Sequence, residues 1–157
     1  MSLKSLLMTT ALMIVVGCQS QVQRVGTPHP AIRVMEQHLL AVSQKDLPAL
    51  AKTLDPDGHM QLILPQSEIR EGTAAFLTFH EQWFATGDWT FETRILNHEL
   101  GRDLAMVVVE IVYREPERDG QPYFNRMIVS YDLIHKGGQW YVIKDHASSV
   151  EKSTDQP

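Results

Sequence analysis

Residues 139–148, QWYVIKDHAS, follow the glycine pair Gly137-Gly138 and decide the fold. Aromatic and β-branched residues fill most of this stretch, and such residues favour an extended strand. Two glycines between two strand-like stretches indicate a tight hairpin turn, because the favoured two-residue turns need positive backbone φ angles. Residues 139–148 are therefore expected to pair antiparallel with residues 122–135, which precede the turn.

The strand pattern continues upstream of this hairpin. Two further stretches rich in Val, Ile, Tyr and Phe predict strands over residues 89–99 and 104–114. Gly101-Arg102-Asp103 and Asp119-Gly120 separate the strands and predict hairpin turns. Four strands joined in this way indicate an antiparallel meander, and one short strand is expected earlier, at residues 60–64.

The residues before the meander are predicted to be helical. A helix over residues 31–44 is indicated by apolar residues at helical spacing, namely Ile32, Met35, Leu39 and Val42. Asp46 is expected to cap a second short helix that reaches about residue 54, and a third helix is expected over residues 73–86. Helices first and strands after predict an α+β domain in which N-terminal helices cover one face of a curved antiparallel sheet.

This order of elements resembles the cone-shaped fold of nuclear transport factor 2 and its SnoaL-like bacterial relatives, a cystatin-like α+β architecture. Residues 46–50 (DLPAL) resemble the family's second helix, and Arg70-Glu71-Gly72 leads into a Phe-rich third helix. Residues 140–148 (WYVIKDHAS) are similar to the family ending W-x-I-x-x-x-H-x-S. The resemblance covers about residues 31–148. The family includes ketosteroid isomerase, dehydratases, epoxide hydrolases, polyketide cyclases and non-enzymatic pockets, so this fold does not specify a function.

One departure from the family argues against ketosteroid isomerase activity. In that enzyme a base Asp lies on the strand that leads to the Arg-x-Gly turn. Counting back from Gly72 places this position near Ile63 or Leu64, which are both apolar. The isomerase mechanism is therefore not expected in this chain.

The hairpin at Gly137-Gly138 also predicts which side chains share a face, because neighbours along a strand point to opposite sides. A two-residue turn places His146 opposite Val129. The resemblance implies that this face lies inside the cone, and it carries Val129, Tyr131, Leu133, His135, Trp140, Val142, Lys144 and His146. The opposite face, which includes Asp145, is also half apolar and is a candidate surface for a homodimer, as in many relatives.

The facing of Glu110 depends on the turn at Asp119-Gly120. A two-residue turn places Glu110 opposite Val129, on the same face as His146 and about 10 Å from it between backbones. A three-residue turn places Glu110 outside. In the first case a Glu–His pair in an apolar cone can perform acid–base chemistry, because the carboxylate orients an imidazole that exchanges protons near neutral pH. Both alternatives stay open here.

His146 and Glu110 are therefore the candidate catalytic residues, and the candidate pocket residues are Tyr131, Trp140, Val129 and His80. Each also has an ordinary structural interpretation, since buried histidines and tryptophans commonly belong to a core. The seven histidines show no metal-motif spacing, and the sequence has no Gly-rich phosphate loop and no G-x-S-x-G motif. Neither a metal nor a cofactor is expected.

The N-terminus predicts export and lipid anchoring. Residues 6–16 form an apolar run that is too short to span a bilayer and is typical of a signal peptide, here residues 1–17. Val15-Val16-Gly17-Cys18 resembles the bacterial lipobox, which implies cleavage after Gly17 and lipidation of Cys18. Gln19, rather than Asp, favours the periplasmic face of the outer membrane if the organism is Gram-negative. Residues 18–30 are expected to form a flexible tether and residues 149–157 a flexible tail.

The composition argues against some classes of function but does not identify a reaction. The net charge of −5 and the absence of a Lys/Arg cluster argue against nucleic-acid binding. Cys18 is the only cysteine, so no disulfide or thiol chemistry is expected in the domain. The leading hypothesis is an envelope lipoprotein whose pocket binds a small apolar molecule. The alternatives are an enzyme that uses His146, with or without Glu110, and a dimeric interaction module.

Overall fold

The helices of this domain precede the long strands, as predicted, in a computed structural model that describes residues 27–155. The helices are α1 (Pro30–Ser43), α2 (Leu47–Ala51) and α3 (Thr73–Phe84). The strands are β1 (Gln61–Ile63), β2 (Ile69–Glu71), β3 (Thr90–Leu100), β4 (Leu104–Arg118), β5 (Gln121–Lys136) and β6 (Gln139–Lys152), and a 3-10 helix follows at Ser153–Asp155. The predicted α+β class is confirmed.

Local sequence explains where the helices begin. The Nδ1 atom of His29 accepts a hydrogen bond from the backbone N–H of Ala31 at 3.2 Å, in front of α1. Asp46 caps α2 as predicted, because its Oδ1 atom accepts a hydrogen bond from the backbone N–H of Ala49 at 2.9 Å. Gly72 adopts a φ of 89° directly before α3, a conformation that favours glycine.

The six strands form one curved, open sheet in the order β2-β1-β6-β5-β4-β3. Strands β3 to β6 form the predicted antiparallel meander. The complete sheet is mixed, however, because the short β1 pairs parallel with β6. These two strands are far apart in sequence, so the intervening chain can return them side by side in the same direction. Strand β2, which was not predicted, pairs antiparallel with β1.

The helices cover one face of this sheet, which we call the inner face. Helix α1 buries one side against it, including Met35, Leu39 and Val42. The inner face contributes alternate strand residues to the same core: Val107, Val109, Ile111, Val129, Tyr131, Leu133 and Val142. The opposite, outer face is not covered by any described helix.

Two β-bulges change which residues reach the inner face. The hairpin at Gly137-Gly138 pairs Lys136 with Gln139 as predicted, and the predicted register holds as far as Leu133 and Val142. Asp132 then pairs with Lys144, so Ile143 is an extra residue. An extra residue in one strand reverses the facing of every residue beyond it. The predicted facing of residues 144–146 is therefore wrong.

The second bulge lies in β4, close to the predicted turn. Arg118 pairs with Gln121, as a two-residue Asp119-Gly120 turn requires, but Glu115 pairs with Tyr123. The shift of one position gives Glu110 the facing that a three-residue turn would have produced. The turn lies at the predicted position and has two residues, and the bulge beside it decides the facing.

The ends of the domain extend further than the sequence suggested. Strand β6 continues to Lys152 and a 3-10 helix follows, so the predicted tail of residues 149–157 has regular structure as far as Asp155. The signal peptide, Cys18 and most of the tether lie outside the described residues. No helix within residues 27–155 is long and apolar enough to cross a membrane.

Candidate functional site

A cavity of about 510 Å³ lies between the inner face of the sheet and α3. Most of its wall is apolar, and six aromatic side chains contribute to it: Phe79, Trp83, Phe91, Tyr113, Tyr123 and Tyr131. The lining also has a few polar or charged residues, among them His80, Glu115, Arg118, Asn125 and Asp145. The cavity thus combines an apolar wall with a small number of polar groups, which is typical of small-molecule sites.

Asp145 lies at the buried end of this cavity. The bulge at Ile143 pairs Asp145 with Tyr131 and turns its side chain to the inner face, while the apolar Leu62 flanks it on β1. The residue is only 9% exposed. Within residues 27–155, no side chain or backbone group donates a hydrogen bond to its carboxyl. Burial without a compensating partner raises the pKa of Asp145 to about 7.

Two more polar groups share the buried end with Asp145. Tyr131 is 2% exposed, and burial, followed by the nearby Asp145 charge, raises the pKa of its hydroxyl well above the usual value. His80 must carry its proton on Nδ1, because this atom lies 2.9 Å from the carbonyl oxygen of Phe76, which can only accept. Its Nε2 atom is therefore a hydrogen-bond acceptor. Burial lowers the pKa of His80 to about 4, so the ring is neutral at pH 7.

His38 supports Tyr131 from the helical side. Its Nδ1 atom donates to the Thr53 hydroxyl at 2.8 Å, since that hydroxyl donates its own proton to the carbonyl oxygen of Leu50 at 2.6 Å. The His38 ring packs edge-on against Tyr131 with centroids 5.6 Å apart. Burial, and then the neighbouring His80, lower the pKa of His38 to about 3. This histidine is also neutral at physiological pH.

The exposed end of the cavity contains an ion pair positioned by the β4 bulge. Nε of Arg118 donates to Glu115 Oε2 at 2.9 Å, and a second guanidinium nitrogen donates to Oε1. Tyr113 also donates its hydroxyl to Glu115 Oε1 at 2.6 Å. The Arg118 guanidinium lies 3.5 Å from the ring centroid of Tyr123. The charges of Glu115 and Arg118 therefore neutralise each other where the cavity meets solvent.

The structure does not bring His146 and Glu110 together in this cavity. His146 pairs with Ser130 and is exposed on the outer face. Glu110 pairs with Ile128, also on the outer face, where its carboxylate accepts a hydrogen bond from Arg94 at 2.8 Å. The predicted pairing of His146 with Val129 is wrong, and of the two alternatives left open for Glu110 the outward one is found. In each case the strand contains a bulge between its turn and the residue in question.

Three of the four predicted pocket residues line the cavity, namely Val129, Tyr131 and His80. Trp140 lies elsewhere. It packs on the His135 ring at a centroid distance of 5.1 Å and meets the edge of His29 at 5.5 Å. Its position before the bulge gives it the predicted inward facing, but near the other end of the sheet.

Sequence reasoning missed Asp145, although the sequence contains one signal of its position. Trp140 to Ile143 are four consecutive apolar residues, and Lys144 and Asp145 are two consecutive charged ones. A regular half-buried strand alternates, so this loss of alternation marks an irregularity in the strand near Ile143. The Glu115–Arg118 pair gave no comparable signal, because charged residues close to a turn are ordinary.

Within the described part of the chain, no group of three or more His, Cys, Asp or Glu side chains is placed to hold a metal ion. The groups that can act at this site are those of the side chains themselves. A phenol, a carboxyl and a neutral imidazole share the buried end, and an internally neutralised ion pair occupies the exposed end.

Solved structures share this fold. A proposed dehydratase of the nuclear transport factor 2-like family from Streptomyces avermitilis has 14% identity and a TM-score of 0.66, covering 78% of this chain and 95% of its own. The association domain of calcium/calmodulin-dependent protein kinase II from Caenorhabditis elegans has 25% identity and a TM-score of 0.56, covering 74% and 91%. An uncharacterised protein with a cystatin-like fold from Caulobacter vibrioides has 18% identity and a TM-score of 0.64, covering 77% and 88%.

Sequence comparison agrees with the structural comparison. No curated protein sequence matches this chain significantly. A family model described as a SnoaL-like domain matches residues 32–151, which include α2, α3, all but the first two residues of α1, and all the strands except the last residue of β6. The chain therefore belongs to the family of SnoaL-like domains.

Proposed function

We propose that this domain binds a small, largely apolar molecule in the cavity between the sheet and α3. The observation that carries the proposal is a buried carboxyl, Asp145, that opens onto an apolar space of about 510 Å³ without a hydrogen-bond partner in the described chain. Leaving such a group unpaired costs free energy, which a ligand that hydrogen-bonds to it would recover. The volume lies within the roughly 300–1,000 Å³ of typical ligand pockets.

Native mass spectrometry of residues 19–157 tests this proposal. We expect part of the purified protein to carry a small molecule. Met127 lines the cavity and its neighbour Ile128 points to the outer face, so Met127→Trp should reduce the bound fraction while Ile128→Trp should leave it unchanged. Protein that is entirely free of ligand, and that no compound of an apolar ligand library stabilises against heat, would contradict binding.

The proposal includes attachment of the domain to the cell envelope. Its support is the sequence alone: the signal peptide, the lipobox and the single cysteine, Cys18. Two or three acyl chains anchor a protein stably where one chain gives marginal binding. In a Gram-negative organism the cavity would face the periplasm from the outer membrane.

A second candidate function is acid–base catalysis inside the same cavity. A carboxyl whose pKa is about 7 is matched to proton transfer at neutral pH, and Asp145 has Tyr131 as its cross-strand neighbour. If the domain is an enzyme, Asp145 has the acid–base role that was predicted for His146 and Glu110. Asp145→Asn would then abolish turnover of a substrate that still binds, whereas His146→Ala would leave turnover unchanged.

A homodimer formed through the outer face is a third proposal. Leu104 and Met106 are 59% and 42% exposed on this face. The association domain from Caenorhabditis elegans has the same fold and, by its name, an assembly role. Met106→Asp should convert a dimer to a monomer in analytical ultracentrifugation, and a monomeric unsubstituted protein would contradict the proposal.

A further inference from the structure

We propose that the ligand of this cavity is an amine with an apolar body, and that its ammonium group pairs with the carboxylate of Asp145. The inference rests on the proposed binding function and specifies the chemical class of the ligand. Three observations support it: the acceptors at the buried end, the distribution of charge along the lining, and the aromatic wall.

Two polar groups at the buried end of the cavity offer hydrogen-bond acceptors that receive no donor from the described residues. Asp145 offers two carboxylate oxygens. His80 offers Nε2, because its Nδ1 proton is already donated to the carbonyl oxygen of Phe76. Tyr131 supplies a single hydroxyl donor at the same end. A ligand that satisfies several acceptors at once must donate several N–H or O–H bonds, and an alkylammonium group provides up to three.

The charge along the cavity lining also favours a cation. Arg118 is the one Lys or Arg residue in the described lining, and Glu115 already binds its guanidinium through two hydrogen bonds. No unpaired cation therefore remains in this lining to receive an anionic ligand. Asp145, by contrast, has no counter-charge. A buried charge without a partner is the costliest arrangement, and a ligand of opposite sign removes that cost.

The aromatic wall is suitable for both parts of such a ligand. Phe79, Trp83 and Phe91 line the cavity, and Trp83 is stacked on Trp89 with centroids 4.5 Å apart. Aromatic faces attract cations and also pack well against an apolar body. The Trp83–Trp89 stack holds one wall in a fixed orientation, which reduces the entropy lost on binding.

Three ligands with the same apolar body and different polar groups distinguish recognition of the ammonium group from binding of the apolar body. Isothermal titration calorimetry on the purified protein at pH 8 would compare 2-(1-naphthyl)ethylamine, 2-(1-naphthyl)ethanol and 1-naphthaleneacetic acid. We expect the amine to bind about tenfold to a hundredfold more tightly than the alcohol, the range for a hydrogen bond between charged groups. Asp145→Asn should reduce the amine to the affinity of the alcohol. The control, Asp132→Asn on the outer face, should change the affinity for neither the amine nor the alcohol.

The pH dependence of the unsubstituted protein provides a second readout that needs no variant. The groups around Asp145 are Tyr131 on β5, His80 on α3, His38 on α1, Glu115 with Arg118 on β4, and Arg70 on β2, which lies beyond Leu62 and pairs with Glu68 at 2.7 Å. The pKa values of His38 and His80 are about 3 and 4, that of Tyr131 is far above 10, and Arg118 holds that of Glu115 below its usual value. Between pH 5.5 and 8, Asp145 alone among them changes charge.

Amine affinity should therefore rise about 30-fold from pH 5.5 to pH 8, as Asp145 ionises around a pKa of about 7. Alcohol affinity should stay constant over the same range.

Each other result has a distinct meaning. If amine and alcohol bind equally, or if the amine keeps its advantage in Asp145→Asn, the ammonium inference is overturned and the binding function stands. Tighter binding of the acid overturns the inference in the same way. If none of the three ligands binds, the result counts against the proposed function together with the inference.

Discussion

Asp145 connects the stability of the domain to its ligand site. A carboxyl whose pKa rises from 3.8 to about 7 on folding prefers its protonated form in the folded state. Its ionisation in the unfolded chain therefore lowers the free energy of unfolding as the pH rises from about 4 to 7, and the loss is complete above that range. The domain is less stable at pH 8 than its core alone would make it, which is the cost of keeping an ionisable group in an apolar cavity.

Replacing Asp145 with Asn should stabilise the empty protein at pH 8. The amide has nearly the same shape and no charge to desolvate, so we expect a gain of about 2 to 4 kcal/mol in the free energy of unfolding at pH 8. The gain should shrink at pH 5, where the folded wild-type carboxyl is already protonated. Urea denaturation at both pH values measures the difference. An equal gain at pH 5 and pH 8, or one matched by Asp132→Asn, would contradict this assignment.

The His38–Thr53 hydrogen bond is a separate residue-scale test of the core. Thr53→Val keeps the shape of the side chain and leaves the Nδ1 proton of His38 without an acceptor. The loss should be about 1 to 3 kcal/mol of unfolding free energy, the usual cost of an unsatisfied buried donor. Thr78→Val, at an exposed position of α3, is the control and should change stability by less than about 0.5 kcal/mol. Similar losses in the two variants would show that His38 tolerates losing its partner.

At the level of elements, the bulge in β6 decides the chemistry of the cavity. With Ile143 as the extra residue, Lys144 points to the outer face and Asp145 to the inner face. A regular strand would have turned Lys144 to the inner face and Asp145 to the outer face. One inserted residue thus determines whether the cavity contains an ammonium or a carboxyl.

Deleting Ile143 should leave the facing of the remaining residues unchanged. The pairs Leu133–Val142 and Asp132–Lys144 would then be consecutive in a regular ladder. We expect a folded protein that loses about 1 to 3 kcal/mol, from the packing of one half-buried side chain, and keeps the pH-dependent stability caused by Asp145. Deletion of Tyr141 is the matched comparison: it also restores a regular ladder from Lys144 onward, but it turns Val142 to the outer face and Ile143 into the core, so it should cost more stability than the Ile143 deletion. The prediction fails if the Ile143 deletion abolishes folding.

These elements show how far the sequence alone can predict the structure. Helix positions, the Asp46 cap, the four long strands and the Gly137-Gly138 turn follow from local signals, and all are present. The bulges do not follow from local propensity, because an extra residue is accommodated by tertiary packing, and the interrupted alternation near Ile143 is the one trace of a bulge in the sequence. Since a bulge reverses all facing beyond it, a correct turn and correct strands still gave the wrong side for His146.

For the whole molecule, the predicted lipid anchor has a direct test. Metabolic labelling with palmitate should label the wild-type protein and leave Cys18→Ser unlabelled, because Cys18 is the only thiol in the chain. The variant should also leave the membrane fraction. Retention of both label and membrane association in Cys18→Ser would contradict the lipoprotein assignment.

The bulge at Ile143 has a kinetic consequence for the whole domain. A hairpin that closes from the Gly137-Gly138 turn reaches Leu133–Val142 in the correct register, and its simplest continuation would then bury Lys144. That competing hairpin must reopen before β1 can pair with β6. The Ile143 deletion leaves a single register, so stopped-flow fluorescence should show a slow refolding phase for the natural chain and none for the deletion variant. The residue that brings a carboxyl into the cavity would then also slow the formation of the sheet.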